Sequence, residues 1–274
     1  MTTPLVRIAA TADLHIRMRD GLEYLREAFR DLHEDADMLV IAGDLTEMGL
    51  VAEMEMLAGV LADVSVPTFV TFGNHDRRGM RRSALKKVLR NVGTTVLEGS
   101  GAIATLPDGA RIGIAGVTGT GGGFNGNSEE FGRGARFARA IMVKSRRESA
   151  RLRKTMKELV AQDPDVLIVL SHFAPTASTL GNEPPLKYWM LGNSLLGQTI
   201  DEFDADLVIH GHAHHGNETG TTDSGIRVLN VALPIVAGIR LLEVDRHGRT
   251  HTAGLRPIAS PLLIGTHVRE SDVR

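Results

Sequence analysis

An α/β fold is predicted by three observations. Short apolar runs rich in Val, Ile and Leu stop at Gly, Asp, Asn or His, as a buried strand does where it enters a polar loop. Segments of helical period lie between several of these runs. The residues of metal-binding type fall just past the run ends, where open α/β sheets gather their ligands. Strands alternating with helices imply parallel pairing with helices covering both faces.

Taken in order, Leu5–Ala10 leads into Asp13-Leu14-His15, and Leu22, Leu25, Phe29 and Leu32 then keep helical spacing. Met38–Ala42 leads into Gly43-Asp44, followed by a helix marked by Met54, Leu57, Val60 and Leu61. Val66–Phe72 leads into Gly73-Asn74-His75-Asp76, Val166–Ser171 into His172, and Leu207–His210 into Gly211-His212-Ala213-His214. Alternate residues on an extended strand end point the same way, so Asp13 and His15 are expected to face one ion, as are His212 and His214. Gly211, Gly43 and Gly73 are expected to let the backbone turn sharply before the ligands.

The chain has 274 residues, 42% of them hydrophobic and only 4% aromatic, so its core must be built from aliphatic side chains and Met. One domain is expected, with a core over about 5–244, a lid-like insertion at about 119–157 and a polar tail at about 256–274. The absence of Cys excludes disulfides, thiolate metal sites and a Cys nucleophile. Met1-Thr2-Thr3-Pro4 runs almost directly into the first strand without a basic and apolar leader. No stretch approaches the roughly 18 apolar residues of a membrane span. A cytoplasmic protein with no membrane partner is the expectation; the oligomeric state is left open.

Each motif alone is weak, but their order, spacing and chemistry together are specific. They resemble those of the calcineurin-like metallophosphoesterases, over roughly Leu5 to Val244. The resemblance implies an αββα sandwich, two packed mixed sheets flanked by helices with the metal site at the strand C-terminal ends. Arg111–Val117, Arg227–Ala232 and Val236–Val244 would then be strands of the second sheet. It places Asp13, His15, Asp44 and His214 on one metal and Asp44, Asn74, His172 and His212 on the other, with Asp44 bridging. It leaves His75 off the metals as the catalytic residue, donating a hydrogen bond to the phosphoryl oxygen or a proton to the leaving group.

Mixed imidazole and carboxylate ligation suits two Mn, Fe, Zn, Co or Ni ions, Mn or Fe above all, better than Mg or Ca. Two divalent ions less Asp13, Asp44 and a bridging hydroxide leave one positive charge, which suits a phosphoryl anion. The expected reaction is hydrolysis of a phosphoester by attack of that hydroxide. Small phosphodiesters or nucleotides are favoured over phosphoproteins, because Asp44 is followed by Leu45-Thr46-Glu47-Met48, without the Arg of the family's protein phosphatases. Asp76 and His210 are candidates to hold the metal-bound imidazoles from behind. His215 reads as a surface residue.

Arg77 and Arg78, with Arg81 and Arg82, break the dipole rule if a helix starts soon after Asp76; substrate contact and a solvated turn are both open. From Arg133 to Lys157 there are ten Lys or Arg against Glu148 alone. Leu152, Met156, Leu159 and Val160 keep helical spacing there, so a solvated helix face is the plainer reading, and a nucleic-acid surface the other. No aromatic residues interleave to stack bases. A nuclease, or a metal-stabilised scaffold without turnover, are thus the alternative functions. Gly119–Phe124 lacks the P-loop Lys and reads as a hinge or site-adjacent loop. Tyr188 and Trp189 either wall the pocket or cap the core.

Overall fold

The computed structural model describes residues 5–124, 135–245 and 247–258. Expectations that fall on 125–134 and 259–274, the centre of the suggested lid and most of the tail, lie outside the described residues.

Two six-stranded mixed sheets pack face to face. The first runs β12 (Thr250–Pro257), β11 (Gly238–Val244), β1 (Val6–Thr11), β2 (Met38–Ala42), β3 (Thr68–Thr71) and β4 (Thr95–Val96). The second runs β5 (Ser100–Thr105), β6 (Arg111–Val117), β7 (Val166–Ser171), β8 (Leu207–His210), β10 (Arg227–Asn230) and β9 (Thr219–Thr221). The motif-bearing strands are parallel within their sheets, β1 with β2 and β3, and β7 with β8.

The period of two along each strand divides the core into layers. Ile8, Ala10, Met38 and Val40 face Ile114, Ile168, Leu170 and Ile209 between the sheets. The intervening Ala9, Leu39, Ile41 and Val70 pack outward on α1 (Glu23–Phe29), α2 (Val51–Leu61) and α3 (Arg82–Asn91). On the far side Ala115, Val117, Val169 and Val208 meet α4 (Ala135–Val160) and α6 (Ser194–Asp201). Each sheet therefore has helices on one face and the other sheet on its second face, which equally well explains runs that are apolar throughout.

One strand changes sheet relative to expectation. Gly238–Val244 pairs antiparallel with β1, Leu242 opposite Ile8, so it belongs to the first sheet. Val236 is not part of it, but closes the short α7 (Leu233–Val236), whose Ala237 is left-handed at φ 51°. That reversal returns the chain from the end of β10 to the β1 edge.

The basic segment forms a packed layer. Leu152, Met156 and Leu159 of α4 are buried against the second sheet, while Val160 is exposed at the helix end. Gly119–Phe124 is buried throughout; a Cβ at Gly122 would meet Ser145 Oγ at 2.5 Å and Asn193 Cβ at 2.9 Å. The glycines there let the backbone pass between α4 and the loop before α6.

Candidate metal centre

The loops after β1 and β2 are joined backbone to backbone. Asp13 N donates to the Gly43 carbonyl, His15 N to that of Asp44 and Ile16 N to that of Leu45, at 3.0–3.1 Å. Asp13 (φ 59°), His15 (46°) and Asp44 (48°) are all left-handed, as is His212 (70°). Each such residue costs about 1–2 kcal/mol, and a cluster of them at one place is what a functional site accepts and a mere turn avoids. Asp13 and His15 share a side, then, because the backbone coils at both, not because they alternate along a strand.

Only Gly43, at φ 88°, supplies the expected turn. Gly73 and Gly211 are required by close approach instead: a Cβ would land on Asp44 Oδ1 at the first and on Asp13 Oδ2 at the second.

These loops bring Asp13, His15 and His214 together; His15, Asp44 and His75; and Asp44, His172 and His212, each set with potential ligand atoms within 4.8 Å of one another. Because His15 and Asp44 recur, the sets form one continuous site with room for two ions. Asp44 Oδ2 lies 3.6 Å from His15 Nε2 and 3.3 Å from His172 Nε2, between the two halves. Asn74 Oδ1 lies 3.0 Å from the same His172 nitrogen. His214 Nε2 is 2.9 Å from Asp13 Oδ1.

The donor atoms suit a cation. Both nitrogens of the buried His15 ring lack a hydrogen-bond partner, a state rare in folded proteins and costly unless something else binds there. The Nδ1 of His172 donates to the Ala42 carbonyl at 2.9 Å, so its Nε2 faces two acceptors, Asp44 Oδ2 and Asn74 Oδ1. Only a proton or a metal ion fits between them. His212 Nε2 donates to the Met190 carbonyl at 3.3 Å, which leaves its Nδ1 lone pair for the site. Backbone carbonyls thus orient both rings, as they do in metal sites generally.

The metal-free charges follow. Burial raises the Asp13 carboxyl, but His214, His15 and His172 outweigh it and hold it well below the usual range. Burial acts likewise on Asp44, and His172 above all brings it to about 2. Burial lowers His172, yet Asp44 and Asp13 carry it up to about 9. Burial, with His172 beside it, brings His212 down to about 3. Two anionic carboxylates and a neutral imidazole are what an N/O-ligated ion requires.

The two residues expected behind the ligands do otherwise. Asp76 accepts from Thr46 Oγ1 (2.6 Å), Thr46 N (2.9 Å), Leu45 N (3.2 Å) and Gly73 N (2.8 Å), and so fastens the Asp44 loop to the Gly73 loop without touching an imidazole. His210 is bonded to the Gly211 carbonyl (2.7 Å) and Thr179 Oγ1 (2.9 Å), inside the core and off the ligands. The carboxylate that does reach the rings is Glu47, which the sequence reading passed over. Its oxygens lie 3.3 Å from His15 Nδ1 and 3.4 Å from His75 Nδ1. The available signal was its place, three residues after Asp44.

His75 Nδ1 donates to the Glu47 carbonyl at 3.0 Å and its Nε2 accepts from Arg78 at 2.7 Å. Arg77 turns away to Glu98 (3.0 Å), which Arg82 (2.6 Å) and Lys86 (2.8 Å) also hold. That carboxylate answers the cations at the start of α3. A cavity of about 280 Å³ lined by Thr176, Ser178, Gln198 and Asp201 contains none of these site residues. Tyr188 packs on Phe124, Ala174 and Leu191, Trp189 meets Phe137 edge to face with centroids 5.6 Å apart, and His215 is exposed.

A sequence model of the calcineurin-like phosphoesterases matches residues 6–216. Among curated proteins, no match was found. Among solved structures, a phosphopantetheinyl hydrolase from Mycobacterium tuberculosis is 16% identical, with a TM-score of 0.63 over 82% of this chain and 88% of that one. The protein TT1561 of Thermus thermophilus is 15% identical, with a TM-score of 0.57 over 93% of this chain and 100% of that one. A sulfate thiohydrolase, SoxB, from Thermus thermophilus is 10% identical, with a TM-score of 0.56 over 95% of this chain and 56% of that one. At these identities the likeness is one of fold.

Proposed function

This chain belongs to the calcineurin-like phosphoesterase family, and on that premise we propose that it is a two-metal phosphoesterase acting on small phosphodiesters or nucleotides. The observation that carries the reading is the unpartnered, buried His15 ring beside two buried carboxylates. Asp13, His15, Asp44 and His214 would hold one ion, and Asp44, Asn74, His172 and His212 the other. Bound there, the ions supply Lewis acidity and an activated water.

The protein's own groups do the rest. Ala42 and Met190 carbonyls fix the rings of His172 and His212, and Glu47 stands behind His15. Arg78, half-exposed and 2.7 Å from His75 Nε2, offers a guanidinium to a phosphoryl oxygen. With its proton on Nδ1, His75 presents Nε2 as an acceptor, and burial lowers its pKa further. A proton donor at Nε2 therefore has to be charged first, so we assign His75 and Arg78 jointly to the phosphoryl group.

The chemistry of the surface favours this over a nuclease. The basic face of α4 carries no interleaved aromatics beyond Phe137, which is engaged with Trp189. The test is hydrolysis of bis-p-nitrophenyl phosphate and p-nitrophenyl phosphate after reconstitution with Mn²⁺. Diester cleavage that His75→Ala reduces about 10²–10⁴-fold with metal content retained supports the assignment. Loss of metal in that variant makes His75 a ligand, and no turnover of either ester by a protein holding two ions favours the scaffold reading.

A further inference from the structure

A folded protein leaves apolar atoms on its surface everywhere, and single exposed apolar side chains need no explanation. Here they are not spread. Among the described residues, Met18, Met48, Leu50, Met80, Leu186 and Met190 are exposed, and all six lie on the connections that leave the carboxyl ends of β1, β2, β3 and β7, Leu186 and Met190 on short helical turns of the last. These four connections also carry Asp13, His15, Asp44, Asn74, His75 and His172 of the metal centre, to which the loop after β8 adds His212 and His214. The other large apolar side chains exposed among those residues, Val143, Val160 and Leu255, lie elsewhere, on α4 and β12. Met80 is 91% exposed and Leu186 73%, the two most extended of the set.

Three of the six have cationic neighbours in sequence. Met18 sits between Arg17 and Arg19, Met80 within Arg77-Arg78-Gly79-Met80-Arg81-Arg82, and Leu186 beside Lys187. Segments 17–20, 47–50, 77–82 and 186–190 together hold seven cations and two carboxylates, Asp20 and Glu47, on a chain whose net charge is −2. Both carboxylates are already engaged: Asp20 caps Arg17 N, and Glu47 faces His15, His75, Arg17 and Arg78. Glu23 is exposed at the start of α1, Glu98 is half-buried and Glu183 buried, and both of the latter are bonded. Of the seven cations, Arg17 and Arg78 pair with Glu47 and Arg77 and Arg82 with Glu98, so one end of the molecule presents apolar tips beside the exposed Arg19, Arg81 and Lys187, with Tyr188 and Trp189 half-buried on the same rim.

We propose that this rim docks on an anionic lipid bilayer, with the metal centre facing the headgroups. Apolar tips that enter the acyl boundary, cations at headgroup level and an aromatic pair at the interface are the components of peripheral membrane binding. No helix among the described residues is long and apolar enough to cross a membrane, and interfacial docking needs none. The expectation of no membrane partner rested on the missing span alone. Nucleic acid would use the cations but has no use for the exposed apolar tips of Met80 and Leu186.

The surface reading stands apart from the assigned chemistry, because it can be tested without turnover. Trp189 is the one tryptophan of the chain and neighbours Met190, so it reports docking directly. The full chain is mixed with vesicles of phosphatidylcholine alone or with about a third phosphatidylglycerol, at about 0.1 M salt. Binding is read by sedimentation and by quenching of Trp189 with brominated lipid.

Binding to the anionic vesicles is expected, with quenching. It should weaken at least about tenfold in Met18→Ser/Met80→Ser/Leu186→Ser, and similarly in Arg19→Glu/Arg81→Glu. These side chains are solvent-facing, so hydrolysis of a soluble diester should be unchanged in both variants, which also certifies folding. No binding, binding that the three apolar substitutions leave intact, or equal capture of duplex DNA through the same residues would each overturn the proposal. None of those results bears on whether the centre hydrolyses soluble esters.

Discussion

His15, in the loop after β1, and His210, the last residue of β8, are both buried histidines, and the fold treats their rings in opposite ways. The ring of His210 is bonded at each nitrogen, to Gly211 and to Thr179. That of His15 is bonded at neither, although carboxylates stand 3.3–3.8 Å away on three sides. The first is a satisfied core residue; the second is held ready for something the chain does not itself supply. The contrast separates ligands from structural polar residues by physics rather than by motif, because burying an unpaired donor or acceptor costs about 1–3 kcal/mol.

The largest effect should come from the carboxylate that joins the halves of the site. Asp44→Asn is expected to lower diester turnover about a thousandfold, the several kcal/mol of charge stabilisation that two ions provide, and to reduce bound metal below two per chain. Retention of both ions and full rate would remove Asp44 from its bridging position.

The pair of histidines themselves come next. His210→Ala deletes two buried hydrogen bonds and leaves a void, so chemical denaturation should show a loss of about 3 kcal/mol with metal content unchanged. His15→Ala also leaves a void but relieves two buried, unpartnered nitrogens, so metal-free stability should shift by less than in His210→Ala, about 1 kcal/mol, while one ion is lost. If the two variants behave alike, the distinction fails. Glu47→Gln should weaken metal affinity by about 10–100-fold, as removal of a group behind a ligand does, measured by competition with a chelator.

Much of this was legible in the sequence. The motif-bearing strands coincide with the apolar runs, and the residues of the five motifs converge because parallel strands deliver their carboxyl ends to one place. What was not legible depends on contacts distant in the chain. Nothing in Gly238–Val244 says that it pairs with β1, and nothing near Asp76 says that its oxygens are taken up by Thr46 and Gly73. The left-handed backbone at Asp13, His15 and Asp44 is likewise imposed by the joined loops, against local preference. Glu47 belongs to none of the five motifs, and only the fold brings its carboxylate against His15 and His75.

A smaller effect sharpens the contrast through pH. Without metal, His172 is raised from 6.5 to about 9. A folded pKa above the unfolded one contributes stability below about 6.5 that is lost as pH rises towards 9, so metal-free melting temperature should fall over that interval. Metal affinity should rise across it, because the ligand must shed its proton. His210, lowered to about 4 by burial, has the opposite sign: its contribution is present above about 6.5 and is lost as pH falls towards 4. Melting curves of His210→Ala should lack that acid-side slope.

The most direct test of the central claim is elemental analysis of reconstituted wild type, His15→Ala and His210→Ala side by side. Two ions per chain in wild type and His210→Ala, but one in His15→Ala, is the expected result. Fewer than one ion in wild type, or two retained in His15→Ala, would contradict the view that the unpartnered ring marks a metal site.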